Sequence, residues 1–588
     1  YDSMSVFNIL SFIGGLAMFL YGMQVMGSSL EKTAGSKLKS ILAKLTATPI
    51  KGLLFGAAVT AVIQSSSATT VMVVGFVNSG VMQLGQAIGI IMGANIGTTI
   101  TSWILSLAGI EGTSILVQLF KPSSFAPVLA AVGICLILFG KRDKQHNIGS
   151  SLMGFALLMF GMEMMSTAVK PLADVPAFTN ILTMFSNPIL GVLVGIFVTA
   201  VVQSSSASIG ILQALSATGQ LSIASALPII MGQNIGTCVT ALISSVGTNR
   251  SAKRAAIVHL YFNLIGTVLA MLLFYGLDAV IGFGFLDMRA NYLSIAIIHT
   301  AFNVFCTVVL FPFTKQLERL AMLTIPGENK SSISSMLDNR LLATPTLAVE
   351  QGRKVTVQMA ELSRDAISRA TALFEKYSEA GFNEVLEMED ETDRFEDTLG
   401  SYLIKASACE LSGDDSREVF CLLHLVTDLE RLGDHARNIA ESAKELYDKG
   451  LSFSNEAKHE FSVLISAVNA ICELSIRAFS ERSCGRAEEV EPLEEIIDSL
   501  VLQIKTSHTR RLTKGACGTV QGFIANDILT DLERISDHCS NIAISVIERI
   551  EGNYDPHENK ERLKRKDENA YNEMFAYYRE KYSLKQAQ

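Results

Sequence analysis

The sequence lacks most signatures of a soluble enzyme. Its nine cysteines are scattered, with no C-x-x-C and no paired spacing, so neither a zinc finger nor a disulfide framework is indicated, and a reducing compartment suits the second half. No G-x-S-x-G occurs, which removes the nucleophile-elbow context of a serine hydrolase. No Lys or Arg falls inside the long apolar spans, and titratable groups at their depth are few: Glu163, His259 and His299. The first apolar run, Val6 to Val25, has no basic segment before it and no A-x-A-like site after it. It reads as a retained span rather than a signal peptide.

Positive charge is scarce in the second part of the chain. Up to about residue 320 there are sixteen Lys/Arg and nine Asp/Glu; the totals of 48 and 57 leave thirty-two and forty-eight beyond it. The first part is therefore net +7 and the second net −16, within an overall −9. An acidic domain of that size repels phosphates, which argues against a nucleic-acid partner and for bound cations. Across all 588 residues, 49% are hydrophobic and the mean hydropathy is +0.35, too apolar for an ordinary soluble protein.

What the sequence does contain is a duplication. Gln64-Ser65-Ser66-Ser67-Ala68 recurs 139 positions on as Gln203-Ser204-Ser205-Ser206-Ala207. The offset carries its flanks along: Gly22 pairs with Gly161, Pro49 with Pro188, Gly52 with Gly191, Gly56 with Gly195, and Met92 to Thr98 with Met231 to Thr237. Apolar stretches of about 20 residues, enough to span a bilayer, cover roughly 5–27, 84–107, 147–169, 222–247, 254–276 and 292–314, with a shorter one at 125–140. The serine-bearing stretches 52–78 and 188–216 are Gly-rich and interrupted by polar residues. Each reads as a re-entrant hairpin of two half-helices.

With the N-terminus outside, thirteen Lys/Arg fall in inner loops (28–51, 141–146, 249–254 and the exit after 314) and only Lys121, Lys170 and Arg289 fall outside. That bias places everything after residue 320 in the cytoplasm. Three crossings separate Gly22 from Gly161, so the second copy is inverted relative to the first, an arrangement found in transporters. The expected layout is a membrane domain at 1–320 (repeats about 5–141 and 147–276, extra helix 292–314), a linker at 321–344, a helical domain at 345–555 and a charged tail at 556–588.

Beyond the linker, apolar residues recur at three and four and Pro and Gly are rare. Helices are expected near 345–379, 383–410, 415–449, 455–482, 487–513 and 519–551, an all-α bundle of two three-helix halves. A second duplication marks them: Asp428-Leu429-Glu430-Arg431-Leu432-Gly433-Asp434-His435 matches Asp531-Leu532-Glu533-Arg534-Ile535-Ser536-Asp537-His538. Preceding helices carry Glu389 with Asp393 and Glu494 with Asp498. Carboxylates at i and i+4 share a helix face. Two facing pairs (Glu389, Asp393 with Glu430, Asp434; Glu494, Asp498 with Glu533, Asp537) call for a hard divalent or iron-type cation, or for Arg431 and Arg534, between them.

At the serines, a half-helix would point unpaired N–H groups and a positive dipole end at the midplane, which is an anion site. Gln, Asn, Ser and Thr oxygens with freed carbonyls suit a hard cation. Without cationic side chains, the anion's charge has to be balanced by a co-transported ion, and the shortage of titratable groups favours sodium over protons. Small hydroxyl residues also serve plain helix packing. Asn95-Ile96-Gly97-Thr98 and Asn234-Ile235-Gly236-Thr237 read either as ligands or as kinks. His259 with Asn263 and His299 with Asn303 lie one turn apart and read as interhelical hydrogen-bonding pairs; Glu163 stands where the first copy has Gln24.

At these residues the chain resembles the sodium-dependent phosphate cotransporter family (type II, Na/Pi), whose mark is a pair of QSSS motifs in inverted repeats; the resemblance covers roughly residues 5–315. It implies inorganic phosphate as substrate and Na+ as driving ion, in a plasma (inner) membrane. By position, Gln64, Ser65, Ser66, Ser67, Gln203, Ser204, Ser205 and Ser206 would form the phosphate and sodium sites, with Asn95, Thr98, Asn234 and Thr237 nearby. Residues 345–551 look like the PhoU domain, a regulator of phosphate uptake. That likeness implies metal at the acidic motifs and leaves room for a cytoplasmic regulatory partner and a homo-oligomer.

Other readings stay open: another oxyanion, net export, an intramembrane serine hydrolase using His259 or His299, or a phosphohydrolase built on Asp434-His435 and Asp537-His538. The last lacks the spaced upstream histidine such a site requires.

Overall fold

A computed structural model describes residues 6–45, 48–110, 121–327, 333–409, 411–515, 517–551 and 568–584. It divides into two units, Tyr1–Ser331 and Ser332–Gln588. Both are helical, and the described residues contain no strand beyond one isolated bridge, Ser222 with Arg289.

In the first unit the 139-residue offset becomes a spatial symmetry. Helix α1 (Val6–Leu45) crosses α6 (Asp143–Val169) on four glycines, two per helix. A Cβ on Gly15 would lie 2.9 Å from the carbonyl oxygen of Gly161, and one on Gly22 would overlap the backbone of Gly154 and Leu158. Gly15 and Gly22 are the partners, by offset, of Gly154 and Gly161. Residue i of one copy therefore meets the counterpart of residue j, and j meets the counterpart of i, which only a two-fold relation produces. Helix α5 (Pro122–Phe139) packs on α6 through Gly133 and Gly149 in the same backbone-to-backbone manner.

The hairpins are resolved by their breaks. Helix α2 (Pro49–Ile63) stops at Gln64 and α3 (Ser66–Asn78) starts from Ser65; α8 (Pro188–Val202) stops at Gln203 and α9 (Ser205–Ser216) starts from Ser204. Helix α7 (Pro176–Met184), for which no element was expected, precedes the second hairpin; its nine residues are too few to cross a membrane alone. Helix α2 runs alongside α4 (Leu84–Ser106) in the same direction, since Gly89 meets Pro49, Gly93 meets Leu53 and Gly97 meets Ala57. Five residues join α3 to α4, so the hairpin begins and ends at the same end of α4. The second hairpin repeats this along α10 (Ile223–Ser244), where Gly232 meets Val192 and Gly236 meets Ile196. Both hairpins are thus re-entrant. In each, one hydroxyl pair ties the legs: Thr60 donates to Thr69 at 3.0 Å, and Thr199 to Ser208 at 2.8 Å.

Inversion is visible at the hairpin bases. Asn78, closing the first hairpin, bonds Asn249 just beyond α10, while Gln213, near the base of the second, donates to the carbonyl of Ser102 near the end of α4. The long helices α11 (Arg250–Ile281) and α12 (Tyr292–Leu310) complete the unit and exchange roles under the same symmetry, each packing against both α4 and α10.

Among the described residues of this unit, six helices are long and apolar enough to cross a membrane. Asn455–Glu481 in the second unit passes the same test, but buries Phe461, Leu464, Val468 and Ile471 within the bundle.

Three boundaries differ from expectation. The basic loop expected at 28–51 is helical to Leu45, because nothing between Gly27 and Leu45 breaks the helix. The linker expected at 321–344 begins later: α13 (Thr314–Thr324) buries Leu317 and Ala321, and short helical turns occupy Ile333–Met336 and Asn339–Ala343, with 328–332 outside the described residues. The expected charged tail contains a helix, α20 (Glu568–Lys581), docked with Tyr578 and Tyr582 buried; their spacing was masked by the surrounding charge. Residues 556–567 and 585–588 lie outside the described residues.

In the second unit, α14 (Pro345–Ala372), α15 (Glu379–Ser407) and α16 (Gly413–Asp448) form one half, and α17 (Asn455–Glu481), α18 (Val490–Thr513) and α19 (Thr519–Glu551) the other. The halves meet along α16 and α19 in a second reciprocal seam: His435 Nδ1 lies 2.8 Å from Asp531 Oδ1, and His538 Nδ1 lies 2.8 Å from Asp428 Oδ1. Asn438 and Asn541 donate to the same two carboxylates at 3.3 and 3.4 Å.

Candidate functional site

Each residue of the duplicated motif has a separate backbone task. Gln64 (φ 59°) and Gln203 (φ 56°) sit in the left-handed region that ends α2 and α8, each donating its N–H to a threonine carbonyl one turn back. Ser65 and Ser204 are N-caps, accepting from Ala68 N and Ala207 N at 3.2 Å. Ser66, Ser67, Ser205 and Ser206 are then the first two residues of their half-helices, whose N–H groups have no acceptor within the helix.

The two starts meet at the symmetry axis, with Ser66 Oγ 3.4 Å from Ser205 Oγ, two residues that are counterparts by offset. Around them lies a cavity of about 340 Å³ lined by both Gln-Ser-Ser-Ser segments, Ile63, and Leu20, Met23, Gln24, Gly27 and Ser28 of α1. At roughly 30 Å³ per water that is room for a small oxyanion and a partial shell. The lining holds no charged side chain. Four unpaired amides, two dipole ends and four hydroxyls face the cavity, which gives it the chemistry of an anion site.

The eight motif residues come together, but the other four expected around them do not line the cavity. Asn95 donates to Asn263 Oδ1 at 2.9 Å, Asn234 to the carbonyl of Ile230 at 2.9 Å, and Thr98 and Thr237 to carbonyls of their own helices. All four are buried between helices. Sequence reading missed Gln24 and Ser28 as lining residues, and Thr101, whose hydroxyl donates to Gln64 Oε1 at 2.9 Å. Gln24 falls within an ordinary apolar span and Ser28 at its edge, where an inner loop was expected, and the available signal was that their counterparts, Glu163 and Thr167, are also polar. Glu163 and Thr167 line a separate cavity with Asn8 and Ser11.

In the second unit, Glu389, Asp393 and Asp434 bring carboxylate oxygens within 4.8 Å of one another. Burial and then neighbouring carboxylates push Glu430 and Asp393 above the usual range; burial raises Glu389 too, against the pull of Arg437, which reaches both its oxygens at 3.1 Å. Arg431 holds Asp434 at 3.0 Å. This set fits a hard cation. The expected second set is arranged differently: Lys505 Nζ lies 2.8 Å from Glu533, Arg534 lies 3.4 Å from Asp537, and Glu494 and Asp498 join no comparable group among the described residues. Counting from the Glu389/Glu494 pair, Gly400 stands where the second half has Lys505. His435 and His538 face Asp531 and Asp428 across the seam, partners the sequence reading did not single out.

A family model described as Na+/Pi-cotransporter matches twice, over residues 18–167 and 157–294, and one described as PhoU domain matches residues 356–443 and 462–546. A Bacillus subtilis protein, YqeW, is 30% identical over 321 residues, 54% of this chain and 99% of its own.

The chain belongs to the Na+/Pi-cotransporter family.

Its second unit adds a PhoU domain. The putative inorganic phosphate export protein YjbB of Escherichia coli is 22% identical over 551 residues, 92% of this chain and 98% of that one. Sodium-dependent phosphate transport protein 2A of Rattus norvegicus is 38% identical over 98 residues, 16% of this chain and 15% of that one. PhoU from Pseudomonas aeruginosa aligns with 35% of this chain and 99% of its own, at 22% identity and a TM-score of 0.34. The family and the apolar helices together make this a multi-pass membrane protein of a phosphate transporter family.

Proposed function

We propose that this protein moves inorganic phosphate across the plasma (inner) membrane by alternating access, coupled to sodium, without catalysing a reaction. The observation that carries the reading is the pair of opposed half-helix starts, whose free amides and hydroxyls meet at the symmetry axis in a cavity without charged side chains. An anion held there by dipoles alone leaves its charge uncompensated, and a co-transported cation supplies the balance. With the N-terminus outside, the PhoU domain lies in the cytoplasm, where it regulates the flux. A net outward direction is the second reading, favoured because the relative that covers both domains is named for phosphate export.

The test is labelled phosphate flux in proteoliposomes with a sodium gradient imposed in each direction. Flux that follows the sodium gradient supports coupling, and its preferred direction separates import from export. Phosphate flux from folded protein that ignores sodium would remove the coupling.

The PhoU domain is assigned a hard divalent cation at Glu389, Asp393 and Asp434, with Glu430 beside them. These carboxyls are held above their ordinary values in the folded state, so their ionised forms cost stability above the folded pKa, and the cost is relieved as pH falls through it. A cation at a hundredfold excess over its Kd should therefore raise the domain's melting temperature by roughly 5–10 °C at neutral pH. The increment should vanish on acidification, because the ligands then hold protons. Asp393→Asn should raise the metal-free melting temperature and abolish the increment. A cation response unchanged in Asp393→Asn, read by thermal denaturation with and without chelator, would remove the site.

A further inference from the structure

The two repeats match in sequence at the relevant positions but not in conformation. In the first, Thr101 donates to Gln64 Oε1 at 2.9 Å, and Gln64 is buried. The counterparts are Thr240 and Gln203, yet Gln203 is exposed and its side chain makes no hydrogen bond to the described residues, while the buried hydroxyl of Thr240 has no partner. A second pair repeats the pattern. Asn95 bonds Asn263 of α11 at 2.9 Å, whereas Asn234 turns to its own backbone and Asn303 of α12, 1% exposed, leaves its Oδ1 without a partner. Unpaired polar atoms cost free energy when buried, so each orphan would gain from a bond made in another arrangement.

A third difference points the same way. The serine cavity is walled on one side by α1, through Gln24 and Ser28. Their counterparts on α6, Glu163 and Thr167, line a separate cavity instead. Two repeats related by a two-fold axis and held in unlike conformations can exchange them, which gives a second state of comparable energy.

We propose that Thr101 and Thr240 are alternating latches for Gln64 and Gln203, and that the structure is one of two states related by exchanging the conformations of the repeats. In the other, Thr240 holds Gln203, Asn303 holds Asn234, Thr101 is released, and Thr167 with Glu163 replaces Ser28 with Gln24 at the serine cavity. Thr101 and Thr240 act through the glutamines and touch no substrate; they set which helix walls the site. The proposal deepens the transport reading and rests on it, but the latch is measurable without phosphate.

The experiment labels Ser28→Cys or Thr167→Cys in full-length protein with a water-soluble thiol reagent, read by peptide mass spectrometry, so that native cysteines are scored separately. Thr101→Val removes one latch while keeping the shape. Ser28→Cys labelling should then fall and Thr167→Cys labelling change in the opposite sense, each by roughly two- to tenfold, the range of one hydrogen bond. Thr240→Val should produce the reverse, and the double variant should return toward the starting ratio. A merely structural role would move both variants the same way, and parallel or absent shifts overturn the proposal. Adding phosphate and sodium provides a separate reading. Failure to protect any reporter, with the opposed shifts intact, would count against phosphate transport and leave the latch standing.

Discussion

Ser66→Ala and Ser205→Ala will each weaken phosphate binding roughly tenfold to a hundredfold, the worth of one hydrogen bond to a charged group at about 1.5–3 kcal/mol. The two hydroxyls are counterparts that lie 3.4 Å apart on the axis, so their losses should be nearly equal. The double variant should lose less than the sum, since both serve one ligand. Ser65→Ala and Ser204→Ala remove N-caps and should instead cost about 1 kcal/mol of stability each, with the amides left in place. Labelled-phosphate binding by purified protein distinguishes the two classes. Binding unchanged in both Ser66→Ala and Ser205→Ala would mean that the anion sits elsewhere.

The motif was legible because its constraint is local. A polar run that holds an N-cap serine inside an apolar stretch marks the break between two half-helices, and the duplication with its flanks implied the symmetry that brings Ser66 to Ser205. The six bundle helices were legible for a similar reason, since their apolar periodicity is regular and their breaks are few. What stayed hidden depends on tertiary partners. Asn95 and Thr98 belong to a duplicated segment, which marks them as constrained, but the constraint is packing: Asn95 meets Asn263, a partner 168 residues away. Likewise the two acidic motifs read as equivalent in sequence, yet Lys505 stands one turn from nothing acidic on its own helix face that would announce its bond to Glu533 on α19. Asymmetry between repeats, in turn, cannot be written in residues that are identical.

Gly93→Val and Gly232→Val should have the largest effect of any single changes in the membrane unit. At both positions an added Cβ would lie far inside van der Waals contact of a hairpin carbonyl oxygen, that of Leu53 for Gly93 and that of Val192 for Gly232. Since the obstacle is backbone, no rotamer change relieves it, and α2 or α8 must move off its supporting helix at a cost of about 3 kcal/mol or more. That movement carries the tip with it: Gln64 leaves Thr101 in one variant, and Gln203 leaves its place beside Ser204 in the other. Gly52→Ala, on the same interface, meets the nearest atom at 3.3 Å and should be tolerated with small loss. Gly276→Val on α11, where a Cβ meets nothing within 4 Å, controls for the helical penalty alone. Thermal denaturation in detergent alongside phosphate binding should rank Gly276→Val and Gly52→Ala near the unmodified protein. Gly93→Val and Gly232→Val should fall far below them in both measurements. If instead Gly93→Val melts and binds like Gly52→Ala, close backbone approach is not what holds the serine tips on the axis, and the anion site would have to be held by the α1 and α6 crossing alone.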